Sequence, residues 1–151
     1  MAVQQRTPRA RYGSERAWLR ADLVTAAIAV LAAYDLALAA FMAALPHAFF
    51  TNVGPFGARN DHYIRDTATF SAAIGAGLLV SLRRPSWRVP MLAVSAVQFA
   101  LHSVNHLVDI DKAHPAWTGY FDFFSLALTT VLLAWLLRVE LAHPADGTPP
   151  T

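Results

Sequence analysis

The sequence predicts an all-α integral membrane protein, an up-down-up-down bundle of four helices, and three observations carry that prediction. The chain is 56% hydrophobic and only 15% charged, where an ordinary soluble domain is about 25% charged. Four apolar stretches approach the roughly 20 residues that a helix needs to cross a ~30 Å hydrocarbon core. The basic residues fall unevenly around those stretches, as positive-inside sorting requires. At 151 residues the chain holds a single domain.

The elements follow in order. Residues 1–22 form a basic cytoplasmic segment with Arg6, Arg9, Arg11, Arg16 and Arg20. The first span covers 23–45, "LVTAAIAVLAAYDLALAAFMAAL", and Pro46 closes it. Its apolar run exceeds the 7–15 residues of a signal-peptide core, so it reads as a retained span. "NVGPFGARND" is a turn-rich loop, and Asn60 or Asp61 caps the second span at about 64–82. "RRPSWRVP" separates it from the third span, 89–108, where Pro90 is tolerated near a helix start. Pro115 precedes the fourth span, 117–139, and residues 140–151 form a disordered tail. Backbone groups in lipid must be satisfied within the segment, so all four spans are helices.

Orientation comes from the Arg and Lys count. The N-terminal segment, Arg83, Arg84, Arg88 and Arg138 place nine basic residues on one side, against Arg59, Arg65 and Lys112 on the other. Both termini are therefore expected in the cytoplasm of a multi-pass cell-membrane protein. Trp18, Trp87 and Trp135 fall at the inner interface and Trp117 at the outer, as aromatic belts do. Small residues at Ala29, Ala33 and Ala37, Ala40 and Ala44, and Ser71 and Gly75 suit close helix approach, within the bundle, in self-association or with a membrane-protein partner. The net charge of +2 gives no nucleic-acid surface. With no cysteine, thiolate metal sites and disulfides are excluded. Arg dominates the basic residues and Ala is abundant, a bias typical of high-GC bacterial genomes.

Ionisable residues inside a membrane are costly and face a bundle interior or cavity. Asp35 lies thirteen residues beyond Asp22, and His102 lies thirteen beyond Val89. At 1.5 Å per residue both sit about 20 Å from the inner boundary. Asp66, His106 and Asp122 fall near the same outer layer, and the inner half has almost no polar residue. Gln98, His102, Asn105 and Asp109 follow a 4-3-4 spacing, which makes one helical stripe expected to point inward, with His106 beside it. The predicted polar cluster is Asp35, Gln98, His102, Asn105, His106, Asp109 and Asp122.

Three readings of that cluster stand open. It is a structural network, in which interhelical hydrogen bonds hold the helices. It is a metal site, with His102 and His106 at i, i+4 joined by Asp66, His62 or Asp35 around a divalent metal, or with haem as a narrower variant. Or it is a pocket for a polar-headed lipid or quinone-like molecule, because Tyr120, Phe121, Phe123 and Phe124 surround Asp122 in "YFDFF". "DIDKAH" lacks the Gly and closing Glu of a calcium loop. "GPFGARN" follows no strand and is not a phosphate loop.

"FGARNDHYIRDTATFSAAIGAGLL", followed a span later by "HSVNHLVDID", resembles small four-helix membrane proteins of actinobacteria, similar in layout to the DoxX-like group. Asn60, His62, Arg65 and Asp66 with His102, His106 and Asp109 carry the likeness. It implies the fold and groups the two polar segments; it implies no particular activity. The function expected is a non-enzymatic binding or accessory module in the lipid bilayer. The alternatives are a metal- or haem-binding membrane protein using His102 and His106, and a proton-coupled carrier using Asp35.

Overall fold

The computed structural model describes residues 8–142, with side-chain surroundings from residue 22 onward. The described chain is all-helical, with no strand. Its helices are α1 (Pro8–Ala44), α2 (Pro46–Asn52), α3 (Asp61–Arg83), α4 (Arg88–Val108) and α5 (Ala116–Ala142); a 3-10 turn, Pro85–Trp87, leads into α4. α1 packs chiefly along α3, and α4 along α5; the α3–α4 contact is smaller and the α1–α5 contact smaller still.

Each long helix contains one expected span. α1 begins well before residue 23 and stops at Ala44, two residues ahead of Pro46. α5 continues to Ala142, so the expected tail starts too early at 140; residues 143–151 lie outside the described chain. Asn60 caps α3 by accepting from the backbone N–H of His62 at 3.1 Å and of Tyr63 at 3.3 Å. The short α2 was not expected. Pro46 at its first position is pre-set for helix entry, and Phe49 packs edge-on against Phe41 of α1.

Among the described residues, three stretches are long and apolar enough to cross a membrane: Asp22–Ala44, Pro85–Val108 and Ala116–Ala142. The expected second span, 64–82 in α3, is not among them. α3 has 23 residues, but Arg65, Asp66, Thr67, Thr69 and Ser71 dilute its first half. Its buried positions Ala68, Ile74, Gly75, Leu78 and Ser81 turn one face onto its neighbours.

One apolar core joins all four long helices: Val24, Ile28, Leu31 and Ala32 from α1, Ile74 and Leu78 from α3, Leu92 and Phe99 from α4, Leu133 and Leu136 from α5. α1 and α3 come closest at Gly75, where an added Cβ would meet the Leu36 side chain and the Ala32 carbonyl. The expected small residues Ala33, Ala37, Ala40 and Ala44 are instead exposed. The outward face of α4 is also apolar: Val94, Val97, Leu101, Val104 and Val108 recur at 3-4-3-4 spacing and are all exposed. At one end of the molecule the loop after α2 meets the loop after α4. Phe56 and Ala113 form an isolated antiparallel bridge, and the His114 N–H donates to the Pro55 carbonyl at 3.2 Å. Gly119 is required there, since a Cβ would run into the Ile110 carbonyl.

Candidate functional site

Beneath that clasp lies a pocket of about 340 Å³, lined from every helix and from the α2–α3 loop. α1 supplies Tyr34 and Asp35, α3 Thr67, Phe70 and Ser71, α4 Gln98, His102 and His106, and α5 Phe121, Asp122, Ser125 and Thr129. Phe49 of α2 and Phe56 of the loop line it too, and Phe56 stands edge-on to the His106 ring at 4.8 Å.

The sequence places these residues for simple reasons. Asp35 falls on the buried stripe of α1 with Leu31, Ala32, Ala39 and Met42 and is 3% exposed. Asp122, Ser125 and Thr129 share one face of α5 at 3-4 spacing. His102 and His106 are one turn apart, and their Nε2 atoms meet at 3.1 Å. One nitrogen of that pair must carry a proton and the other accept it.

Hydroxyls and charged groups behave differently in this pocket. Thr67 donates to the Tyr63 carbonyl at 2.9 Å and Thr129 to the Ser125 carbonyl at 2.8 Å. A hydroxyl can thus be satisfied by its own helix. A carboxylate cannot, because it only accepts and the helix N–H groups are already used. Asp35 Oδ2, Gln98 Oε1 and His106 Nδ1 are buried and have no hydrogen-bond partner in the protein. Each costs about 1–3 kcal/mol if left so.

Five residues of the expected cluster line this one pocket: Asp35, Gln98, His102, His106 and Asp122. Two do not. Asn105 is exposed, and Asp109 pairs with Lys112 at 2.6 Å. The expected inward stripe is therefore misplaced. The buried stripe of α4 is Arg88, Leu92, Ser95, Phe99 and Ser103, with His106 continuing it. At 100° per residue its centre lies about 100° round the helix from the Gln98–Asn105–Asp109 line. Gln98 and His102 reach the pocket from the edge of the buried face. In the aromatic segment, Phe121 lines the pocket, whereas the Tyr120 hydroxyl donates to Asp111 at 3.1 Å.

The expected metal set divides into two separate pairs. His62 and Asp66 pair with each other at 3.4 Å on the exposed start of α3, away from the lining. Among the described residues no three His, Asp or Glu side chains form a metal-holding group, whereas zinc sites use three or four protein ligands. For the haem variant, no described histidine beyond His102 and His106 lines the pocket: His47, His62 and His114 are exposed and outside its lining, and His143 lies outside the described residues.

A second polar site lies at the other end of the core. Arg88 and Glu140 are buried together, Nη1 to Oε2 at 3.9 Å. Arg88 also donates to the Thr25 hydroxyl at 3.0 Å and to the Ser81 carbonyl at 3.5 Å. Four long helices are thus tied at one point. The expected apolar half of the molecule contains a buried ion pair, because Arg88 turns inward from the helix start instead of serving as a loop charge. Between this clamp and the pocket stands the apolar core. Thr25, Ile28, Leu31 and Asp35 run in that order along α1, and Glu140, Leu136, Leu133 and Thr129 along α5.

No protein family, curated protein or solved structure matches this chain.

Proposed function

We propose that this is a multi-pass integral membrane protein whose four long helices form an up-down-up-down bundle with both termini cytoplasmic. In this reading it is a binding module that takes a small amphiphilic molecule into the pocket at its outer end. Several observations support insertion: the three long apolar helices, the exposed valine and leucine face of α4, the nine-to-three basic asymmetry, and the exposed Trp87, Trp117 and Trp135. Such apolar faces are unfavourable in water and neutral in lipid. α3, the least apolar of the four, crosses packed against α1.

The observation that carries the binding reading is the set of three unpartnered buried atoms on one pocket, from Asp35, Gln98 and His106. A purely structural network would satisfy its own members. The volume lies within the range of small-molecule sites. Binding is favoured over transport because the apolar core separates the pocket from the Arg88 end. An accessory-subunit role is a second reading, favoured by the exposed Ala33, Ala37, Ala40 and Ala44 row on α1.

Native mass spectrometry of protein extracted in mild detergent tests the binding reading. The wild type should carry a small-molecule adduct that Ser125→Phe, which fills the pocket, loses while remaining folded. A wild type that carries none, and gains no thermal stability from any amphiphile offered, would contradict it.

A further inference from the structure

The charge and hydrogen-bonding pattern of the pocket restrict the ligand's chemistry, an inference that rests on the binding reading above. Asp35 and Asp122 both line the pocket, and among the described residues no Lys or Arg does. The pocket is therefore never positive through a fixed cation, and it repels an anionic head group whenever either carboxylate is ionised. Asp35 is 3% exposed and its Oδ2 has no partner. A carboxylate in such surroundings must take up a proton or a counter-charge. The unpartnered Gln98 Oε1 is a second acceptor. His106 Nδ1 is a third when the proton shared with His102 sits on His106 Nε2. Together these atoms call for hydrogen-bond donors, and an ammonium offers donors and positive charge at once.

The walls favour the same class. Phe49, Phe56, Phe70, Phe121 and Tyr34 place rings around the acceptors, and ring faces attract cations. The volume of about 340 Å³ is roughly twice the ~150 Å³ of a cavity that holds benzene, which suits a bicyclic body. We propose that the pocket takes a lipophilic organic cation of the arylalkylammonium type, its N–H group on Asp35 and its ring body among the aromatic side chains.

Three matched probes test this on the full-length protein in nanodiscs of zwitterionic lipid at neutral pH: naphthylethylamine, naphthylethanol and naphthylpropionate. Binding is read by calorimetry against empty nanodiscs. The amine should bind about tenfold or more tightly than the alcohol, and the propionate should show no saturable binding. Asp35→Asn should weaken the amine about tenfold or more and leave the alcohol unchanged. If the alcohol or the propionate binds as tightly as the amine, the cation assignment is overturned while the pocket still binds. If none of the three saturates, the cation assignment and the binding reading fall together. The ranking on wild-type protein decides even if Asp35→Asn does not fold.

Discussion

Asp35 is the residue on which the account turns. It stands in the buried stripe of a membrane-length helix with an unpartnered oxygen, where an aliphatic side chain would pack without cost. A residue kept for stability would not look like this. Asp35→Leu should therefore make the ligand-free protein more stable, by about 1–3 kcal/mol, while abolishing binding of the amine probe. Equilibrium unfolding in mixed micelles measures the first effect and calorimetry the second. Lower stability in Asp35→Leu would mean that the carboxylate is holding the helices together. Asp35 was legible in the sequence as a lone charge in an apolar run, and its level with His102 followed from helix rise alone. Asn105 and Asp109 misled for a definable reason. They sit in the last turn of α4 and just beyond it, where the α4–α5 loop supplies Lys112 as a partner for Asp109, so polarity there does not signal an inward face.

At the scale of the helices, apolar length was a good guide. The expected spans 89–108 and 117–139 became Arg88–Val108 and Ala116–Ala142, whereas 64–82 became the helix Asp61–Arg83, which is not among the three apolar enough to cross. α2 was missed because seven residues carry too little periodicity to read. The pairing of Arg88 with Glu140 was missed because nothing local links residues so far apart in the chain; Arg88 read only as a loop charge. The clamp makes its own prediction. Removing either charge breaks the buried pair, which costs about 3–5 kcal/mol. Glu140→Gln and Arg88→Met should each lower stability on that scale. The double variant Arg88→Met/Glu140→Leu should recover most of the loss, since two apolar side chains replace a pair far from ideal geometry at 3.9 Å. Unfolding of the three variants in micelles checks this; additive losses in the double variant would show that the charges contribute independently.

At the scale of the whole molecule, the helices arrange three layers: the buried ion pair, the apolar core, and the polar pocket under the Phe56–Ala113 clasp. The proposed topology puts the clasp outside. The chain has no cysteine, so single cysteines report their side directly. Asn52→Cys and Arg59→Cys should react with a membrane-impermeant maleimide in intact cells. Ser86→Cys, in the turn before α4, should react only after permeabilisation. The reverse pattern would invert the topology and place the pocket toward the cytoplasm.

The central claim is that the pocket at Asp35, Gln98 and His106 holds a small molecule. The most direct measurement is an experimental structure of the protein purified with its native lipids. The account predicts non-protein density in the pocket, within hydrogen-bonding distance of Asp35 Oδ2 and His106 Nδ1. A pocket without such density, in which Asp35 turns to bond Gln98 or His106 and the Phe56 side chain fills the space, would contradict it.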